Sequence, residues 1–415
     1  MLKEFLVILI VTAAVALAAR IPRATENDFI DIPFKRLKNS AERIQSHGYP
    51  GESHFVETED GYVLNMFRIP YSPKLDNNAK EEEEVQRPVV LIQHGLFSCS
   101  DCFLLNGPDN ALAYNYADRG YDVWLGNARG NIYSRNNTKI NINHPNFWAF
   151  SWHEIGAYDL PAMIDYILEL TGEKALHYVG HSQGCTTFFV MASFRPEYNA
   201  KIKTAHMLAP PIFMGNVTEG TVVGLAPYVG SPGIGAELLQ NQVFLPWNEV
   251  IQRVLDTVCS NDPYLLSYCK TLAIMWGGDL GNLNATLLPQ VAETHPAGIS
   301  TNQGIHFIQS YVSNEFRRYD WGRKKNLAKY GTEEPPAYDL TQITSQVYLY
   351  AGPADGSANL KDIARLPQYL SQHTLFEIED PTWGHLDFIF ALKVKEIIND
   401  KVISLSETYD WLNKD

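Results

Sequence analysis

Short apolar runs recur along this chain, separated by stretches with helical spacing. His54 to Glu57 and Tyr62 to Ile69 read as two short strands about Glu59-Asp60-Gly61, and Asp-Gly between alternating apolar residues predicts a hairpin. Pro88 to Gln93 and Tyr121 to Leu125 are brief runs rich in β-formers, the pattern of parallel strands buried on both faces. Leu176 to Val179, Ile202 to Leu208, Gln346 to Tyr350 and Leu375 to Ile378 are read as further strands. Between them, Ile155 to Leu170 carries apolar residues at helical spacing, with Glu154 just before it and Gly172 after its end. Asn27 to Gly48, Ala391 to Asn399 and Val402 to Leu412 also read as helices. Strands alternating with helices predict an α/β fold with a mostly parallel central sheet.

One stretch breaks that rhythm. Pro210 to about Asp320 holds Gly- and Pro-rich patches, helical runs at Glu249 to Val258 and Leu265 to Met275, and few strands. It lies between two sheet strands, so it is expected as a largely helical insertion over the C-terminal edge of the sheet, where α/β proteins bind ligands. Apolar segments such as Ala226-Pro227-Tyr228-Val229 and Val243-Phe244-Leu245-Pro246-Trp247 suit either a lid or a purely structural cap. The expected organisation is a leader at 1–18, a core at 19–211 with an N-terminal lead-in to about 53, a cap at 212–320, and the rest of the core at 321–415.

The sharpest local signal is Ala175 to Met191, ALHYVGHSQGCTTFFVM. An apolar run enters Gly180-His181-Ser182-Gln183-Gly184, and a second apolar run follows almost at once. Strand, sharp turn and helix in this order, with glycines flanking the serine, form a G-x-S-x-G nucleophile elbow. It lifts a hydroxyl above the sheet edge at a helix N-terminus.

Composition narrows the class. Hydrophobic residues make up 45% and charged residues 19%, as in a globular protein with a sizeable core. A net charge of −14 and the lack of a basic cluster exclude a nucleic-acid partner. Lys3, the apolar run Phe5 to Leu17, and Ala16-Leu17-Ala18 form a signal peptide, with cleavage expected after Ala18 or Ala19. The rival is a membrane anchor, but a run of about 13 residues falls short of the ~20 that span a bilayer, and no later stretch is long enough. A soluble extracellular or lumenal protein follows. There are five cysteines, so one is left over. Cys259 and Cys269 close a short turn-rich loop and suit a disulfide, while Cys99 and Cys102 allow a strained local bridge, with zinc as its rival. Cys185 reads as a buried apolar residue. Asn136, Asn216 and Asn284 head N-x-T sequons and are glycosylation candidates in a secreted chain. Oligomeric state leaves no sign in the sequence.

A serine needs an imidazole to accept its proton and a carboxylate to orient that imidazole. On this fold the order is Ser, Asp or Glu, His. Asp355 falls in the loop after Gln346 to Tyr350. Its rival Asp362, seven residues on, is expected in a helix facing solvent. Among twelve histidines, His385 alone follows the Asp355 loop in a turn after a strand. An oxyanion hole needs two backbone N–H groups, expected from Gln183 and from Leu96 in His94-Gly95-Leu96. His94 precedes the serine and is assigned to packing and hydrogen bonding beneath the hole. His181 is read as a supporting residue.

Taken together, Gly48-Tyr49-Pro50, Thr58 to Tyr62, Arg68-Ile69-Pro70, Gln93 to Leu96, Gly126 to Asn131, Tyr158 to Pro161, Gly180 to Gly184 and His385 to Phe388 resemble the animal acid lipase family, which includes gastric and lysosomal acid lipases. Ser98-Cys99-Ser100-Asp101-Cys102 is similar to the insect branch. The resemblance implies an α/β-hydrolase core with cap and lid, and hydrolysis of neutral-lipid esters (triglycerides, sterol esters or both) at a lipid–water interface. It places the catalytic roles on Ser182, Asp355 and His385, the oxyanion donors on Leu96 and Gln183, and the cap disulfide on Cys259 and Cys269. No metal or organic cofactor is implied, and the compartment is extracellular or the lysosome lumen. Gly356-Ser357, where relatives carry bulky apolar residues, and the extra Cys99, Cys102 and Cys185 depart from the family pattern. An esterase of small soluble esters and a catalytically silent lipid-binding protein are the alternatives. The intact triad opposes the second, and the apolar insertion opposes the first.

Overall fold

A computed structural model describes residues 37–75, 86–259, 269 and 281–414. The leader, the acidic run Glu81 to Glu84 and all but one residue of the expected helix at Leu265 to Met275 lie outside them.

The strands are β1 (Glu52–Glu57), β2 (Tyr62–Ile69), β3 (Val89–Gln93), β4 (Asp122–Gly126), β5 (Asn136–Asn137), β6 (Leu176–His181), β7 (Ile202–Leu208), β8 (Val243–Phe244), β9 (Ile299–Ser300), β10 (Gln346–Ala351) and β11 (His373–Glu377). The main sheet runs β1-β2-β4-β3-β6-β7-β10-β11, with β5 beside β2. From β4 to β11 every pairing is parallel, while β2 runs antiparallel to β1, β4 and β5. The central strands β3, β4 and β6 are buried at every position, which is why they read as mostly apolar runs rather than alternating ones.

Local chemistry sets the boundaries. Asn39 and Glu42 close a capping box on the helix Ser40–Ser46, the described part of the lead-in. The expected helix at Ile155 to Leu170 begins with a π turn over Ile155–Asp159, continues as Leu160–Thr171, and stops at Gly172 in the left-handed region. The C-terminal helix Asp400–Leu412 likewise follows a π turn at Lys395–Asn399. The last strand starts at His373, two residues earlier than its apolar pattern suggests. There His373 pairs with Val347, and the backbone of Val347 donates to Gln372, so main-chain pairing recruits polar residues at the sheet edge.

Between β7 and β10 the chain forms helices at Gly220–Val229, Ile234–Leu239, Glu249–Val258 and Thr301–Ser313, with β8 and β9 paired as a separate small ribbon. A disulfide joins Cys259 to Cys269. Val229, Ala236, Ile305, Ile308 and Tyr319 form a small apolar cluster distinct from the main core. The cysteines at 99, 102 and 185 are free and buried. The local bridge considered for Cys99 and Cys102 is therefore absent. Cys99 caps a 3-10 turn over Ser100–Phe103, and both thiols are packed away as apolar groups.

Candidate active site

Four loops at the C-terminal ends of β3, β6, β10 and β11 build one site. Ser182 follows β6 with φ 53° and ψ −119°, a left-handed-side conformation that a non-glycine residue adopts only under constraint. The constraint is visible: the Ser182 N–H donates to the Leu208 carbonyl, and its own carbonyl accepts from Cys185 as the helix Gln183–Phe194 begins. A Cβ on Gly180 would lie 2.7 Å from the Gly184 backbone, and one on Gly184 would lie 2.4 Å from the Gln93 carbonyl oxygen. Only glycine fits at either flank.

His385 and Asp355 join the serine in one hydrogen-bonded line. His385 Nε2 lies 2.8 Å from Ser182 Oγ, and His385 Nδ1 lies 2.8 Å from Asp355 Oδ2. The other carboxylate oxygen of Asp355 accepts from the Ser357 and Ala358 N–H groups, each at 2.8 Å. Gly356-Ser357, the departure from the family pattern, thus forms the turn that clamps the carboxylate. Ser182 is 9% exposed, His385 6% and Asp355 3%, so the line is shielded from solvent in this conformation.

Asp362 sits in a four-residue helix, Leu360–Ile363, but it does not face solvent as expected. It is buried, and its two oxygens accept from the backbone and side-chain nitrogens of Asn216, both at 2.8 Å. The carboxylate stays buried because the inserted segment brings it two donors. Thr218 and Glu219 donate to the Gly356 carbonyl, which ties the same segment to the Asp355 loop. Of the sequons, Asn136 and Asn216 are exposed, and Asn284 is half-buried with its side chain capping Ala285–Leu287.

The β3 loop approaches the serine closely: a Cβ on Gly95 would meet the Ser182 Cβ at 2.9 Å. Among the described residues, neither the Leu96 nor the Gln183 backbone N–H has a hydrogen-bond partner. The Gln183 side chain accepts from Gln303 of the helix Thr301–Ser313, 120 residues away. His181 Nε2 lies 3.0 Å from the His385 carbonyl oxygen, so this histidine holds the backbone of the other. His94 is buried against Gly95, Ala128 and Asn131. Sequence reasoning missed the Gln303 contact and the part played by Ala128 and Asn131. Only the motif Gly126 to Asn131 hinted at the second.

Burial drives several histidines, in the site and elsewhere in the core, to low pKa. His181 is pushed down to about 3 by burial, with His385 adding to the effect. Burial takes His94, His153 and His295 down to about 4. An unfolded chain takes up these protons near pH 6.5, the native state only near pH 4 or below. Between those values the unfolded state binds more protons, so stability rises with pH and falls on acidification. Each histidine contributes an acid loss on the order of 1–3 kcal/mol. The urea midpoint is expected to drop steadily from pH 6.5 to pH 4; a flat profile would contradict the buried neutral state of these rings.

Comparison with known proteins agrees with this architecture. A family model described as a partial alpha/beta-hydrolase lipase region matches residues 40–107, and one for the alpha/beta hydrolase fold matches residues 88–229. The chain is 40% identical to Lipase 3 of Drosophila melanogaster, over 90% of this chain and 94% of that one. It is 38% identical to gastric triacylglycerol lipase of Homo sapiens, over 89% of this chain and 91% of the other. Among solved structures, DcsB in complex with a substrate analogue superposes with a TM-score of 0.50 at 12% identity, covering 88% of this chain and 99% of that one, a likeness of fold alone.

Proposed function

The chain belongs to the animal acid lipase family and is a lipase, and from that premise we propose that it cleaves neutral-lipid esters through Ser182, His385 and Asp355. The observation that carries the mechanism is the unbroken line from Ser182 Oγ through the His385 ring to Asp355. Ser182 Oγ attacks the ester carbonyl carbon while its proton passes to His385 Nε2. The negative charge that develops on the carbonyl oxygen is received by the N–H groups of Leu96 and Gln183. The imidazolium, held by Asp355, returns the proton to the leaving alkoxide, and the C–O bond breaks to leave an acyl-enzyme. A water molecule, deprotonated by His385, then releases the fatty acid and restores Ser182.

The substrate is met at a lipid surface. Tyr228 is 70% exposed, Ile234 78% and Leu238 69%, all on the two helices that pack on the small separate cluster. Large apolar side chains left in water on helices packed against a small separate cluster suit a lid that opens onto lipid. Replacing Ile234 and Leu238 together by glutamate is expected to cut hydrolysis of emulsified triglyceride by tenfold or more, since burying each side chain is worth about 1.5–3 kcal/mol. Hydrolysis of a soluble short-chain ester stays within about twofold. An equal fall on both substrates would sink the lid. Among the described residues no helix is long and apolar enough to cross a membrane, and the N-terminal leader pattern supports a secreted or lysosomal enzyme.

The test of the whole reading is hydrolysis of a chain-length series of glycerides and cholesteryl esters, run beside Ser182→Ala. Activity confined to soluble short esters, with no rise at an emulsion interface, favours the small-ester esterase instead.

A further inference from the structure

The motif Gly126 to Asn131 has no part in the triad, yet it lies directly beneath the β3 loop. Its contacts determine a protonation state. Asn131 Oδ1 accepts from the N–H groups of Tyr133 (3.0 Å) and Ser134 (3.1 Å). That fixes which end of the amide is which: Asn131 Nδ2 faces Asn127 Oδ1 at 2.8 Å and His94 Nε2 at 3.1 Å. The backbone N–H of Ala128, which cannot exchange its role, also points at His94 Nε2 at 3.1 Å. Two donors converge on one ring nitrogen, so His94 Nε2 must be an acceptor. The ring proton is therefore on Nδ1, and Nδ1–H donates to the Gly95 carbonyl at 2.8 Å.

That carbonyl belongs to the Gly95–Leu96 peptide. In a planar trans peptide the C=O and N–H point in opposite directions. Fixing the Gly95 oxygen on His94 therefore fixes the direction of the Leu96 N–H. The opposite His94 tautomer would set an unprotonated Nδ1 against the Gly95 oxygen, lone pair to lone pair, and leave that oxygen only the longer bond from the Ser98 N–H at 3.3 Å to hold the peptide. Asn127 completes the platform: its Oδ1 also accepts from the Ser100 N–H, and its Nδ2 donates to the Asn65 carbonyl. His94, Asn127 and Asn131 are all buried, so water does not compete for these bonds.

We propose that Asn131 is a positioning residue which, with the Ala128 N–H, holds His94 in its Nδ1–H tautomer and so aims the Leu96 N–H at the reacting oxygen. The inference rests on the oxyanion role given to Leu96 above. It is tested first without any activity assay. In protein labelled with 15N-histidine, NMR is expected to show the His94 resonance, identified by its loss in His94→Ala, with Nδ1 protonated and Nε2 bare at pH 7. A protonated Nε2 overturns the proposal.

The second arm is a double-mutant cycle on a soluble p-nitrophenyl ester. Asn131→Leu is expected to lower kcat about tenfold and His94→Ala roughly a hundredfold, the scale of weakening or losing one oxyanion donor, with KM within about twofold. Because Asn131 acts through His94, the double variant should be no slower than His94→Ala alone. Effects that multiply, or a fall in Tm with kcat intact, overturn it. If the unmutated protein cleaves no ester, the lipase mechanism fails, while the NMR arm still decides the tautomer.

Discussion

Ser182→Ala lowers kcat by about 10⁴-fold or more while leaving the fold in place. The residue sits at a helix start and loses only its hydroxyl, so the unfolding free energy should shift by less than about 1 kcal/mol. Asp355→Asn is expected to be nearly as damaging, about 10⁴-fold. The Ser357 and Ala358 N–H groups bind the Oδ1 position at 2.8 Å and will keep an oxygen there. The new amide nitrogen must then face His385 Nδ1, which can meet it only as an acceptor. The ring proton moves to Nε2, where it blocks uptake of the serine proton. Asp362→Asn makes the contrast. Its carboxylate touches Asn216 and not His385, so kcat should stay within a few-fold, while an imperfectly matched buried amide costs about 1–3 kcal/mol of stability. The three variants are compared by kcat on one soluble ester and by urea midpoint. A dead Asp362→Asn beside an active Asp355→Asn would reverse the assignment.

That contrast marks the boundary of what the chain discloses as text. The elbow is legible because its causes are local: glycines 180 and 184 flank Ser182, and a Cβ on either would come within 3 Å of neighbouring backbone. Strands β3, β4 and β6 are legible because burial on both faces leaves them mostly apolar, the buried Gln93, Asp122, His177 and His181 being the exceptions. Asp355 and His385 can be picked by chain order after strands, and the structure brings both to the serine. Asp362 could not be placed that way. Its partner Asn216 is 146 positions distant, and a short amphipathic turn looks solvent-facing until the insertion folds over it. Cys99 and Cys102 have the spacing of a bridge, but their direction is set by packing. The platform under His94 is also nonlocal, because it depends on which loop lies beneath which. Sequence pattern carries periodicity and turn chemistry; it does not carry the second partner of a hydrogen bond.

Arg129→Met is expected to destabilise the native state by about 3–5 kcal/mol, the cost of stranding a buried charge. Arg129 is fully buried, and so is Asp159. The Arg129 backbone N–H and Nε donate to Asp159 at 3.0 and 2.7 Å, and Nη1 and Nη2 reach Asp60 at 2.5 and 2.9 Å. The guanidinium lies 4.0 Å from the Tyr62 ring centroid. One side chain therefore pins the β1–β2 hairpin, the loop after β4 and the π turn that presents Asp159. Burial already pushes Asp159 up, to about 6, against the pull of Arg129. Without the arginine the Asp159 carboxylate keeps the residue-129 backbone N–H but loses its guanidinium partner, and is left as an unpaired buried charge that it can shed only at the cost of taking up a proton. Adding Asp159→Leu should restore much of the loss, because the unpaired charge and not the missing pair carries most of the penalty. Urea unfolding of the two single variants and the double variant measures this, and strictly additive losses would contradict it. Arg129 also lies between Ala128 and Asn131, the two groups that hold His94. Any Arg129→Met molecules that remain folded should therefore show a lower kcat at unchanged KM, which places the stability of the hairpin and the aim of the oxyanion donor on the same loop.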